Sequence, residues 1–92
     1  MVIKYTKNFL DKLENLFSES EFILRYEKGN FKSGYCVLKE NKVVIVNKYF
    51  PLEGKINALI DILNELNFNP QEFTDKSNHD FLIELRQIQL KF

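Results

Sequence analysis

Cys36 and His79, each the only residue of its type in the chain, are the side chains best suited to covalent or proton-transfer chemistry. A thiolate nucleophile needs a proton acceptor close by in a polarised setting, and His79 followed by Asp80 offers a base and an orienting group. Two facts weigh against that use. Adjacent positions 79 and 80 point in different directions on a helix, and a cysteine between Tyr35 and Val37 in a strand ordinarily packs as a small hydrophobe. One Cys, one His and scattered carboxylates do not supply the convergent ligands that zinc requires. Gly29, Gly34 and Gly54 are too widely spaced to cradle a phosphate. Asp61 and Glu65 lie four apart on the outer face of a helix, where solvation rather than acid–base work is expected. The expectation is no enzyme, no catalytic residue, no metal and no cofactor.

Two binding constellations remain. Arg25, Gly34 and Asn47 fall in one row if the central strands pair through two-residue turns. Gly34 then leaves room above the sheet, where the planar fork of Arg25 beside Asn47 can grip a carboxylate or phosphate. The plainer alternative has Gly34 at a bulge, Arg25 paired with Glu27 or a helix acid, and Asn47 capping the turn toward Pro51. The second constellation is basic: Lys28, Lys32, Lys39, Lys42 and Lys48 interleave with Tyr26, Phe31, Tyr35, Tyr49 and Phe50. That mixture suits a single-stranded nucleic acid, with bases on rings and phosphates on lysines. Against it, lysines at sheet edges and turns also guard strands from aberrant pairing, and the chain as a whole carries thirteen cationic and thirteen acidic side chains.

The elements that must position these residues are legible from periodicity. Residues 22–47 keep the side-chain period of two over three strand-like segments, with apolar residues on both faces, broken at Gly29-Asn30 and Glu40-Asn41. Two-residue loops at both breaks set Leu24 opposite Tyr35, Phe22 opposite Val37, Tyr35 opposite Val46 and Val37 opposite Val44 on the larger face. The other face then carries Ile23, Cys36 and Ile45 in one row, with Leu38 beside Val43 and Glu27 beside Lys32. A slip of one residue exchanges the faces of a strand. Phe9, Leu10, Leu13, Leu16 and Phe17 trace a helical stripe, which predicts a helix over about residues 4–18. Leu52, Ile56, Leu59, Ile60, Leu63 and Leu66 trace a second behind Pro51, with Glu53 at its positive end. Asn67, Asn69 and Pro70 read as its stop, and residues 71–73 as a short turn of helix. Phe81, Leu82, Leu85, Ile88 and Phe92 give a third stripe capped by Ser77 or Asn78; the helix-favouring run Leu85-Arg86-Gln87 sets it above a competing strand over residues 82–90.

The order α-β-β-β-α-α implies a single α+β domain over residues 1–92, two-layered, with a three-stranded antiparallel meander and about three helices. Ninety-two residues with 45% hydrophobic content suffice for one modest core. The N-terminus shows no apolar signal region and no run of residues is long and apolar enough for a bilayer, so a soluble cytoplasmic protein is expected. Charge is uneven: residues 1–55 carry ten Lys or Arg against seven acids, and residues 56–92 three against six. Such opposed halves favour internal docking or association between copies.

The segment from Tyr26 through Gly34-Tyr35-Cys36, then Val43-Val44-Ile45-Val46-Asn47-Lys48 and Pro51-Leu52-Glu53 opening a helix, resembles a set of short uncharacterised bacterial proteins. That resemblance covers the middle of the chain, residues 26–53; it implies a meander-to-helix unit and contributes no catalytic role. The functional expectation is a non-enzymatic bacterial module that self-associates, as a dimer first, or binds a protein partner through a sheet face or edge. Arg25, Gly34, Cys36, Ile45 and Asn47 mark that surface, and the alternative is nucleic-acid or anionic-ligand binding by the basic hairpins.

Overall fold

Thr6 opens the first helix by accepting the Phe9 N–H on its hydroxyl at 3.2 Å, so α1 runs Lys7–Glu19, three residues later than periodicity alone suggests. Lys7 and Asp11 pair across its first turn at 2.6 Å. The helix stops where the Ser20 N–H reaches back to the carbonyls of Leu16 and Phe17. The structure, a computed structural model, describes residues 3–28 and 34–89. Within them follow β1 (Ile23–Glu27), β2 (Tyr35–Leu38), β3 (Val43–Asn47), α2 (Leu52–Leu66), a 3-10 turn (Pro70–Glu72) and α3 (Lys76–Gln89). No described helix is long and apolar enough to cross a membrane.

The α+β class and the three helices stand, but the antiparallel meander does not. The sheet is mixed, in the order β1-β3-β2, with β3 inserted between the first two strands. β1 runs parallel to β3, pairing Leu24 with Val44 and Tyr26 with Val46. The expected contacts of Leu24 with Tyr35 and of Phe22 with Val37 are therefore absent. The physical reason lies in β3 itself. Val-Val-Ile-Val is apolar on both sides, which suits a central strand bonded to two neighbours, whereas β1 carries Arg25 and Glu27 and suits an edge. The turn expected at Gly29-Asn30, along with Lys32 and Phe92, lies outside the described residues.

The β2–β3 register is the expected one, with Tyr35 opposite Val46 and Val37 opposite Val44. Its loop is built differently. The positive φ falls on Lys42 (57°) rather than on Asn41, and the Lys42 N–H bonds to the Lys39 carbonyl. Opening the loop to four residues removes one residue from each strand end, so the register survives.

Pro51 caps α2 from just outside its first turn, and Asn67 ends it in the left-handed region (φ 52°) with its N–H on the Leu63 carbonyl. The cap of α3 is Asp75, not Ser77 or Asn78: its carboxylate accepts the Asn78 N–H at 3.2 Å. α1 lies against β1, α2 and α3, while α2 rests on β3. Val44 and Val46 from the sheet meet Leu13, Leu16, Ile56, Leu59 and Ile62 in a core with no exposure at any of these side chains. Phe68 bridges the rings of Phe17, Phe22 and Phe73 at about 6 Å each. All buried strand side chains thus come from one face of the sheet.

Candidate functional site

Because side chains alternate along a strand, the face away from the helices carries positions 23, 25 and 27 of β1, 43, 45 and 47 of β3, and 36 and 38 of β2. Parity is independent of strand order, so these strand residues share the face expected of them although its rows are new; Gly34 falls outside β2 and Lys32 outside the described residues. Ile23, Val43 and Leu38 form one row, Arg25, Ile45 and Cys36 the next, and Glu27 lies beside Asn47. Ile23 is 61% exposed and Leu38 41%. Cys36 and Ile45 are half-buried between these rows. Arg25 binds Glu27 along its own strand at 2.8 Å. The result is an apolar stripe bordered by one ion pair.

The space expected above Gly34 is filled. Gly34 adopts φ 83°, and a Cβ built there overlaps the Phe50 ring tip, while the base of the same ring lies against Gly54 at the start of α2. Phe50 thus seats on two glycines, and the small residue at position 54 reflects close packing, as its cost inside a helix suggests. Asn47 is engaged in the same turn. Its side-chain oxygen accepts the Tyr49 N–H at 3.0 Å, and its backbone N–H donates to the Gly34 carbonyl at 2.9 Å. With Arg25 opposite Ile45 and paired to Glu27, the three residues of the expected anion grip do not form a row.

The four described lysines of the basic constellation divide into two groups. Lys39 and Lys42 sit in the β2–β3 loop, whereas Lys28 and Lys48 follow the opposite ends of β1 and β3. Five-residue strands separate the groups by about 15 Å. Lys42 is further engaged with Glu21 at 3.1 Å and lies over the Phe22 ring. Of the interleaved rings, Tyr26 and Tyr35 turn toward the core and Tyr49 is exposed.

Cys36 and His79 are not brought together. His79 Nδ1 lies 2.8 Å from the Pro70 carbonyl in the helical layer, and Cys36 belongs to the outer sheet face. Among the described residues no group of His, Cys, Asp and Glu side chains could hold a metal ion.

Three polar anchors escaped sequence reasoning because their partners are far apart in the chain. The Glu19 carboxylate accepts four hydrogen bonds: the Thr74 N–H (2.7 Å), the Thr74 hydroxyl (3.0 Å), the Asp75 N–H (3.1 Å) and the Asn78 side-chain amide (2.8 Å). These bonds, that of Asn78 foremost, hold its carboxyl below the usual range. The Tyr26 hydroxyl donates to Glu14 at 2.5 Å, and burial, then that bond, push the phenol up. Burial also raises Tyr35, with Asp61 adding to it. Arg86 clasps the Phe68 carbonyl and the Asn67 side chain, fixing the link out of α2.

Comparison with protein-family models, curated proteins and solved structures finds no match to this chain. The geometry of the sheet is therefore what bears on function.

Proposed function

We propose that this protein is a small non-enzymatic module that self-associates, first as a dimer, through its uncovered sheet. The observation that carries the reading is the outer face. Ile23 and Leu38, with Val43, Ile45 and Cys36 between them, form a contiguous apolar stripe on the side that none of the described helices covers. Among the described residues the sheet also ends at β1, and strand addition by a second copy satisfies the backbone groups along that edge. The division of the lysines into two groups, one already paired with Glu21, speaks for association over nucleic-acid binding.

Light scattering across a concentration series tests the reading. The expected molar mass rises from the 11.0 kDa of one chain toward twice that value. Ile23→Lys, at the β1 edge of that stripe, holds it at one chain while circular dichroism stays unchanged. A wild-type mass of one chain at millimolar concentration overturns the reading. Binding to a single-stranded oligonucleotide that weakens with salt restores the alternative.

A further inference from the structure

We infer that the second copy docks on the β1 edge, antiparallel, with a two-fold axis at Tyr26 that sets Arg25 of each chain opposite Glu27 of the other. This rests on the self-association reading and specifies its partner surface. In β1 the Ile23 N–H bonds to the Lys42 carbonyl and the Glu27 carbonyl accepts the Lys48 N–H. Residues 23, 25 and 27 therefore turn their backbone groups toward β3, and alternation turns those of Leu24, Tyr26 and Lys28 outward. Among the described residues, no hydrogen bond reaches the backbone of Leu24 or Tyr26 from that side.

An edge strand that pairs with its own copy must match itself when reversed. Directly opposed residues share a face, so the axis passes through a residue position. Centred on Leu24, the strand sets Ile23 against the partner's Arg25. Centred on Arg25, it opposes two guanidinium groups and sets Ile23 against Glu27. Centred on Tyr26, it sets Arg25 against the partner's Glu27 twice over, and the intrachain pair at 2.8 Å extends into a ring of four alternating charges. Tyr26 then exchanges both backbone bonds with the partner's Tyr26, and Leu24 with the partner's Lys28.

The helical side of the edge fits the same register. A groove runs between α1 and β1, lined by Glu14, Phe17, Ser18, Glu21 and Leu24. The partner's Lys28, opposite Leu24, faces this groove and its two carboxylates. Pairing also joins the two outer faces into one six-stranded surface, so the exposed Ile23 comes to lie near the centre rather than at a margin.

Cross-linking and charge exchange test the register. Arg25→Cys and Glu27→Cys are each made in a Cys36→Ser background. Under mild oxidation the two chains mixed should form a disulfide dimer with one copy of each, while neither should cross-link alone, because opposed non-bonded residues have Cα atoms about 4.5 Å apart, within disulfide reach. In parallel, Arg25→Glu and Glu27→Arg should each weaken self-association at least about tenfold, and an equimolar mixture should restore it as a heterodimer. Efficient cross-linking of Arg25→Cys with itself, or of the wild type through Cys36, overturns the proposed register or edge. A wild-type dimer in light scattering that neither mixture captures overturns this inference and leaves self-association standing. A wild-type monomer at every concentration removes both.

Discussion

Replacing Gly34 by Ala should cost the fold about 2–5 kcal/mol, through two separable effects. The backbone there sits at φ 83°, where an L side chain loses about 1–2 kcal/mol. The added methyl also invades the space of the Phe50 ring, and overpacking of that kind costs about 1–3 kcal/mol. The two parts separate in a double-mutant cycle. With Phe50→Ala in place, the methyl meets no ring, so Gly34→Ala should cost only the conformational part, leaving a coupling of about 1–3 kcal/mol. Gly54→Ala couples to Phe50 more weakly, because its Cβ would stand 3.0 Å from the ring and the ring can give way by a few tenths of an ångström. The chain has no tryptophan, so urea unfolding is followed by far-ultraviolet circular dichroism. At roughly 1–3 kcal/mol per molar urea, the single Gly34 variant should lower the midpoint by about 0.7–5 M. An equal cost of Gly34→Ala with and without Phe50 would refute the reasoning, since the ring could not then occupy that space.

Other expectations follow from the polar anchors. Glu19 lies below its ordinary value of 4.5 in the folded state, so its contribution is fully present above that value and is lost as pH falls through the lower folded value. Glu19→Gln should therefore destabilise at neutral pH and flatten the acid limb of a midpoint-against-pH curve; an unchanged limb would place the acid sensitivity elsewhere. Tyr26→Phe should cost about 1 kcal/mol in urea unfolding by removing the bond to Glu14, with the fold retained. Leu13→Ala, at a side chain with no exposure where α1 meets the core, should cost about 2–5 kcal/mol.

Periodicity made the helices legible. The stripe from Leu52 to Leu66 and the Asn67 stop needed only local information, and so did the β2–β3 register, which depends on a short loop. Local information also placed each strand residue on its face, because parity does not depend on which strand is the neighbour. The partner of β1 was not legible. Whether a strand pairs with the next one or lets another in between depends on how both faces of β3 are satisfied, and the turn signal at Gly29-Asn30 pointed to the simpler arrangement. What could have served was composition: β3 is the one strand with four consecutive apolar β-branched residues. The Arg25–Gly34–Asn47 grip failed for the same reason, compounded by Phe50, a residue whose fit onto Gly34 leaves no periodic trace. Glu19 joins residues more than fifty positions away, and no spacing rule reaches so far.

Residue-resolved amide exchange at low and high protein concentration tests the β1 edge most directly. The N–H groups of Ile23 and Arg25, turned toward β3, should exchange slowly at both concentrations, while those of Leu24 and Tyr26 should pass from fast to slow as copies associate. Exchange at Leu24 and Tyr26 that stays fast while the molar mass doubles would show that the copies meet elsewhere.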